Sequence, residues 1–288
     1  MPAYDIRGSG PGLVLLPGIG GTPADIWGTL AADLAAENTV VLMDLPGAGN
    51  RPLPGGPLDA GAVADHVVTA VQEAGLRDFV IAGASLGAAV AVKAAARHPG
   101  TVRGLCTLSG FARPRTSLWL SLEMWASLHA RRDVKLNSFL ASLLFSEGYL
   151  AGLGAEKARL LTARLVTSGP GIARQLALAQ SLDLRSDLPT VAAPTLVVAA
   201  TADRFVAPEY SVELADGIPG ARLAAVGSGH AATLEEPERT LEILTGFLRT
   251  VRRDGFKGPF TKTVARGPAS SRPRLLPTIP SPRSPYGR

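Results

Sequence analysis

Cysteine is nearly absent from this chain: Cys106 stands alone among 288 residues. No disulfide can form within the chain, and a reducing compartment is expected. Long apolar runs are missing too. None approaches the roughly 18 residues that a membrane span needs, so no span is expected. The start, Met1-Pro2-Ala3-Tyr4-Asp5, lacks a basic patch followed by an apolar stretch. It does not read as a signal peptide, and a cytoplasmic location is the expectation. Cysteines and histidines never gather at metal-ligand spacing, so neither a metal nor a cofactor is expected. Charge of one sign is scarce over most of the chain. The net +5 is concentrated from Arg252 onward, where nine Lys/Arg meet one acid, Asp254, leaving residues 1–251 at −3. That distribution argues against a nucleic-acid partner. The stretch 252–288 is also rich in Pro and Ser. Such a composition cannot bury enough apolar surface to offset the entropy of ordering it, so a disordered tail is expected there.

What is present is an ordinary globular balance, 46% hydrophobic and 18% charged. The length suits one large α/β domain over residues 1–251. Short apolar runs alternate with longer helical patterns, the signature of a mostly parallel, doubly wound sheet. Strands are expected at Leu13–Leu16, Thr39–Met43, Phe79–Ala82, Val102–Leu108, Thr195–Ala200 and Leu223–Val226. Helices are expected at Ala24–Ala36, from an Asp59 cap to about Ala74, at Leu86–Arg97, and at Pro237–Thr250. Between about Phe111 and Leu188 the β signal vanishes. That stretch is helical in pattern and holds Trp119, Trp125, Phe139, Phe145 and Tyr149. An inserted helical cap over the sheet is the simplest account.

One pentapeptide carries chemistry: Gly83-Ala84-Ser85-Leu86-Gly87. Gly-x-Ser-x-Gly between an apolar strand and an alanine-rich helix is a tight strand-to-helix turn. Such a turn strains the serine and needs small neighbours two residues either side. Ser85 then sits at a helix N-terminus, where backbone N–H groups favour developing negative charge. Alone, the motif also fits a simple helix cap.

A hydroxyl needs a base, and imidazole has a suitable pKa. Of four histidines, His66 lies mid-helix, His98 at a helix end as a solvated residue, and His129 beside Arg131 and Arg132 in the helical insertion. His230 differs. It lies in Gly227-Ser228-Gly229-His230-Ala231, just after the last strand and at the same sheet edge as Ser85. An imidazole base needs a carboxylate to hold its tautomer. Asp203, three residues past the strand Thr195–Ala200, is the candidate, and Asp44 at another strand end is the rival. The order Ser…Asp…His accords with nucleophile elbows of this type and favours Asp203.

Taken together, these segments resemble the α/β-hydrolase superfamily over about residues 3–250. The resemblance rests on Leu15-Leu16-Pro17-Gly18-Ile19-Gly20-Gly21, on Asp44-Leu45-Pro46-Gly47-Ala48-Gly49, and on the Ser85 pentapeptide. Pro194-Thr195-Leu196 leading to Asp203, and Gly229-His230-Ala231-Ala232 before Glu236-Pro237-Glu238, complete it. It implies an oxyanion hole from the backbone N–H groups of Leu86 and Ile19. Family members often carry His-Gly where Pro17-Gly18 stands, and Gly-His-Gly where Gly47-Ala48-Gly49 stands. Proline has no N–H to donate, but the implied donor is Ile19. Serine at position 85 does not match the branches with an Asp nucleophile. The chain looks most like small bacterial esterases, enol-lactonases and aminoacrylate hydrolases.

The expected function is hydrolysis of an ester, thioester, lactone or activated amide through an acyl-Ser85 intermediate. The expected substrate is a small molecule with an apolar acyl group. An acyltransferase or lyase on the same residues, or a weakly active ligand-binding member, is the alternative.

Overall fold

A computed structural model describes residues 4–165 and 169–253. Seven strands form one sheet: β1 (Tyr4–Arg7), β2 (Gly12–Leu16), β3 (Thr39–Met43), β4 (Phe79–Ala84), β5 (Val102–Leu108), β6 (Thr195–Ala200) and β7 (Arg222–Val226). Their spatial order is β1-β3-β2-β4-β5-β6-β7. Every pairing is parallel except β1 with β3, where Tyr4 faces Met43 and Arg7 faces Val40. The mostly parallel sheet agrees with the sequence expectation. β1 was not anticipated. It is four residues long and mostly exposed, so it has no apolar run of its own and exists by pairing with β3.

Helices cover both faces, and the strands show why. Leu13 and Leu15 of β2 point to one side, with α1 (Pro23–Ala35) and α10 (Pro237–Arg253) packed there through Trp27, Leu30, Leu244 and Phe247. Val14 and Leu16 point to the other side. They meet α2 (Ala60–Glu73) and α3 (Leu86–Arg97) through Val63, Val67, Ala89 and Val90. Near-continuous apolar strands are what a sheet buried on both faces requires. Strand β4 runs two residues beyond its expected end, to Ala84, so that Ser85 follows the strand directly.

From Phe111 to Leu188 the described residues form no strand. They form α4 (Thr116–Ala130), α5 (Leu136–Leu144), α6 (Glu147–Arg164) and α7 (Ile172–Ser181). Gly154, at φ 73°, kinks α6. A helix absent from the sequence reading, α8 (Pro208–Gly217), crosses from β6 to β7, and a short α9 (Ala232–Glu235) precedes α10. Helix α10 continues through Arg252 and Arg253, so the expected tail boundary at 252 falls inside a helix. Arg252 hydrogen-bonds Glu37 and Asn38. The remainder of that tail, 254–288, lies outside the described residues. Among the described residues, no helix is long and apolar enough to cross a membrane.

Candidate active site

Ser85 occupies the turn between β4 and α3 at φ 54°, ψ −119°. Such a positive φ in a non-glycine residue is strained and persists only where its surroundings enforce it. The enforcement is packing. A Cβ on Gly83 would lie 2.1 Å from the Gly87 carbonyl oxygen, and one on Gly87 would lie 2.4 Å from that of Pro17. The Ser85 N–H donates to the Leu108 carbonyl at 2.9 Å, which ties the turn to β5. Its hydroxyl makes no capping hydrogen bond, so the plain N-cap reading does not describe this serine.

The loop after β2 passes over Ser85. A Cβ on Gly18 would be 3.1 Å from the Ser85 Cβ and 3.7 Å from its Oγ. Ile19 therefore stands beside Ser85 in the cavity wall, and Leu86 begins α3.

His230 and Asp203 come from different loops at the same sheet edge. The His230 Nδ1 lies 2.7 Å from Asp203 Oδ2. The other carboxylate oxygen, Oδ1, accepts the backbone N–H groups of Phe205 and Val206, each at 2.9 Å. The Asp203 side chain is fully buried. An ionised carboxylate only accepts, so Nδ1 carries the proton and Nε2 is left with a free lone pair. Phe205 meets the imidazole edge to face, with ring centroids 5.2 Å apart. Asp44, the rival, takes no part in this pairing. Its Oδ2 accepts the Asn50 N–H at 2.9 Å, and burial pushes its carboxyl above the usual range, opposed by that N–H and by Arg51. His66 lies on the exposed side of α2, and His129 in the last turn of α4. His98, expected to be solvated, instead holds Asp65 at 2.8 Å.

Ser85 and His230 open into one cavity of about 250 Å³ between the sheet edge and the helical insertion. Its far wall is apolar, with Leu140, Leu144, Phe145 and Leu161.

Two residues with no place in the sequence reading organise this edge. Gln175 of α7 is buried. Its Oε1 accepts the Gly20 N–H at 2.8 Å, and its Nε2 donates to the Pro46 carbonyl at 2.9 Å. It thereby pins the loop that carries Ile19. Nothing local marks it, because its partners lie 155 and 129 positions away. Glu235 joins the His230 loop to the insertion. It accepts the Gly229 N–H at 3.1 Å, the Ser146 N–H at 2.8 Å and the Ser146 hydroxyl at 2.6 Å. The Ala231 N–H donates to the Leu144 carbonyl, and Arg204 donates to that of Phe145, each at 3.0 Å. The loops holding Asp203 and His230 thus grip the same turn of the insertion. The only local cue to Glu235 was its position five residues after His230.

Residues 13–243 match the model of the alpha/beta hydrolase family. The pyrrolizixenacetamide deacetylase of Xenorhabdus hominickii is 31% identical over 249 residues, 85% of this chain and 94% of that one. A pimeloyl-[acyl-carrier protein] methyl ester esterase of Stenotrophomonas maltophilia is 32% identical, covering 85% of this chain and 95% of its own. The crystal structure of the enol-lactonase from Burkholderia xenovorans superposes with a TM-score of 0.75 at 23% identity, over 85% of this chain and 95% of that one, a likeness of fold. With the match extending over most of its length, this chain belongs to the alpha/beta hydrolase family and is a hydrolase.

Proposed function

We propose that this hydrolase cleaves an ester or a related acyl compound through an acyl-Ser85 intermediate, with His230 as base and Asp203 as its orienter. The observation that carries this reading is the Asp203–His230 pair, with His230 lining the same cavity as a strained, uncapped Ser85. In the forward step Ser85 Oγ attacks the scissile carbonyl carbon while Nε2 takes the hydroxyl proton. The carbonyl oxygen gains negative charge, and we assign the N–H groups of Leu86 and Ile19 to receive it. The imidazolium, held by Asp203, then gives its proton to the leaving group as the carbon–oxygen bond breaks. Water, deprotonated by His230, attacks the acyl-serine and releases the acid.

Two relatives support acyl chemistry by name, one a deacetylase and the other a methyl ester esterase. The apolar far wall favours an apolar acyl chain. We read α4 to α7 as the cap that supplies this wall, and the region from 254 as dispensable to the chemistry.

A fluorophosphonate probe tests the nucleophile. Wild type is labelled and Ser85→Ala is not; equal labelling of both defeats the reading. His230→Ala should lower kcat by at least about 10⁴-fold, close to the loss in Ser85→Ala, because the groups act as a unit. Free acid as the product, unchanged by added alcohol or thiol, separates hydrolysis from acyl transfer.

A further inference from the structure

The cavity wall carries one carboxylate that the mechanism above leaves unused. Asp25, in the first turn of α1, lines the cavity together with Ser85 and His230. Among the described residues that line it there is no Lys or Arg. The loop after β2 joins Asp25 to the nucleophile. Gly18 passes over Ser85, and a Cβ on Gly21 would lie 3.3 Å from the Ile26 side chain and 4.0 Å from the Gly18 carbonyl oxygen. Asp25 directly precedes Ile26 on the helix. It stands on the sheet side of the cavity, whereas Leu140, Leu144, Phe145 and Leu161 of the insertion make the apolar far wall.

The side chain is held in place and its charge is not matched by a cation. Asp25 Oδ2 accepts the Thr22 N–H at 2.8 Å and the Thr22 hydroxyl at 2.7 Å, which fixes the carboxylate at the start of a helix. Among the described residues Oδ1 has no hydrogen-bond partner, and Asp25 forms no salt bridge. The α1 N-terminus offsets about half a unit of the charge. The remainder is felt along the sheet edge: burial is the main cause that raises the Asp44 carboxyl, and the Asp25 charge adds to the rise. Asp203, behind His230, is a second acid at this edge. A substrate entering the cavity therefore meets negative charge on the sheet side. Coulomb interaction acts over distance and needs no direct contact, and at low salt it is screened only beyond about 10–30 Å.

We propose that Asp25 is a specificity-determining residue that makes the cavity select by charge: it favours esters carrying an ammonium group at the end away from the apolar wall and turns away those carrying an anion there. This rests on the acyl-Ser85 reading and narrows its substrate class. One end of the substrate is apolar and meets the insertion, and the other is cationic and meets α1.

The test compares three esters of one apolar acid: the choline ester, its uncharged tert-butyl isostere, and a sulfonate-bearing ester of similar length. In about 10 mM salt, wild type should favour the choline ester over the isostere in kcat/KM by about fivefold, the upper worth of an exposed ion pair. The sulfonate ester should fall below the isostere by a similar factor. In about 1 M salt both ratios should approach one. Asp25→Asn keeps the size and an acceptor oxygen for the Thr22 N–H, and both ratios should fall toward one in it at low salt. Asp25→Ser serves in the same way should Asp25→Asn not fold. Equal kcat/KM for the three esters in wild type at low salt overturns the proposal without need of a variant, as does a preference that survives in the folded variant. Failure of the underlying reading looks different: none of the esters is turned over, or Ser85→Ala turns them over equally. Binding then decides the inference. The matching unreactive amides are compared on Ser85→Ala in low salt through the shift in melting temperature. A larger shift with the ammonium amide supports the proposal, and equal shifts for the ammonium and tert-butyl amides overturn it.

Discussion

Gln175 shows how much one side chain can decide. A neutral amide offers an acceptor to Gly20 and a donor to Pro46 at once, from two separate atoms. Gly20 itself has φ 72°, so the loop after β2 takes a shape few residues adopt, and Gln175 holds it there. Replacing Gln175 with Leu keeps the bulk but strands a buried N–H and a buried carbonyl. We expect a loss of about 1–3 kcal/mol in urea unfolding. We also expect kcat to fall about tenfold while KM changes little, because the displaced Ile19 N–H would serve charge that develops after binding. Steady-state kinetics at a temperature well below the melt separates the two effects. A drop in stability with kcat unchanged would mean that Gln175 holds the fold alone.

At the scale of elements, α2 and α3 lie side by side on one face of the sheet, and Asp65 fastens them near the end of α3. Its carboxylate accepts from Arg97 at 2.8 and 2.6 Å and meets His98 at 2.8 Å. The Arg97 hydrogen bonds are the main reason its carboxyl is lowered to about 2. A carboxylate whose pKa is lower in the folded state stabilises the fold above its ordinary value near 3.8, and that stability is lost as pH falls toward about 2. The side chain is 39% exposed, so solvent screens the pair and its worth stays under about 1 kcal/mol. Asp65→Asn should therefore cost a few tenths of a kcal/mol at pH 7, and the gap to wild type should close between pH 4 and 2. Thermal melts across that range are the check, and a gap that widens with acidification would contradict the linkage. The same α3 begins at the Ser85 turn, so the elbow and the Asp65 clasp secure opposite ends of one helix.

For the whole molecule the decisive contact is between the sheet edge and the helical insertion. Glu235 takes hydrogen bonds from Gly229 on one side and from Ser146 on the other. A Cβ on Gly229 would stand 2.5 Å from the Ser146 nitrogen, so the two backbones touch. Leu144 and Phe145, the residues gripped beside this contact, also line the cavity. A substrate that presses on them presses on the loop that holds His230. Glu235→Gln offers one acceptor oxygen and an amide that faces N–H donors, so one side of the joint is released. We expect kcat for a long acyl chain to fall by about tenfold, and for an acetyl ester by much less. Chain-length series on wild type and variant give the comparison, and an equal loss at all lengths would reduce Glu235 to a structural prop.

The sequence by itself determined the order and kind of most elements, because strand and helix periodicities are local. Leu13 to Leu16 and Phe79 to Ala82 read as buried strands from four residues each, and the glycines around Ser85 announced the tight turn. It also brought Ser85, Asp203 and His230 to the ends of parallel strands, since chain order and strand direction suffice for that. Where the pattern is weak, elements stay hidden: β1 is too short and polar to show itself, and α8 lies unmarked between two strands. Chain order alone favours Asp203 over Asp44 as the partner of His230, and the tertiary structure brings the two within 2.7 Å. The tertiary structure alone brought Gln175 to Gly20 and Glu235 to Ser146. Those contacts join residues whose separation in the chain leaves no local trace, and they exist because packing the insertion over the sheet edge forces each buried polar group to find a partner there or leave one unmet.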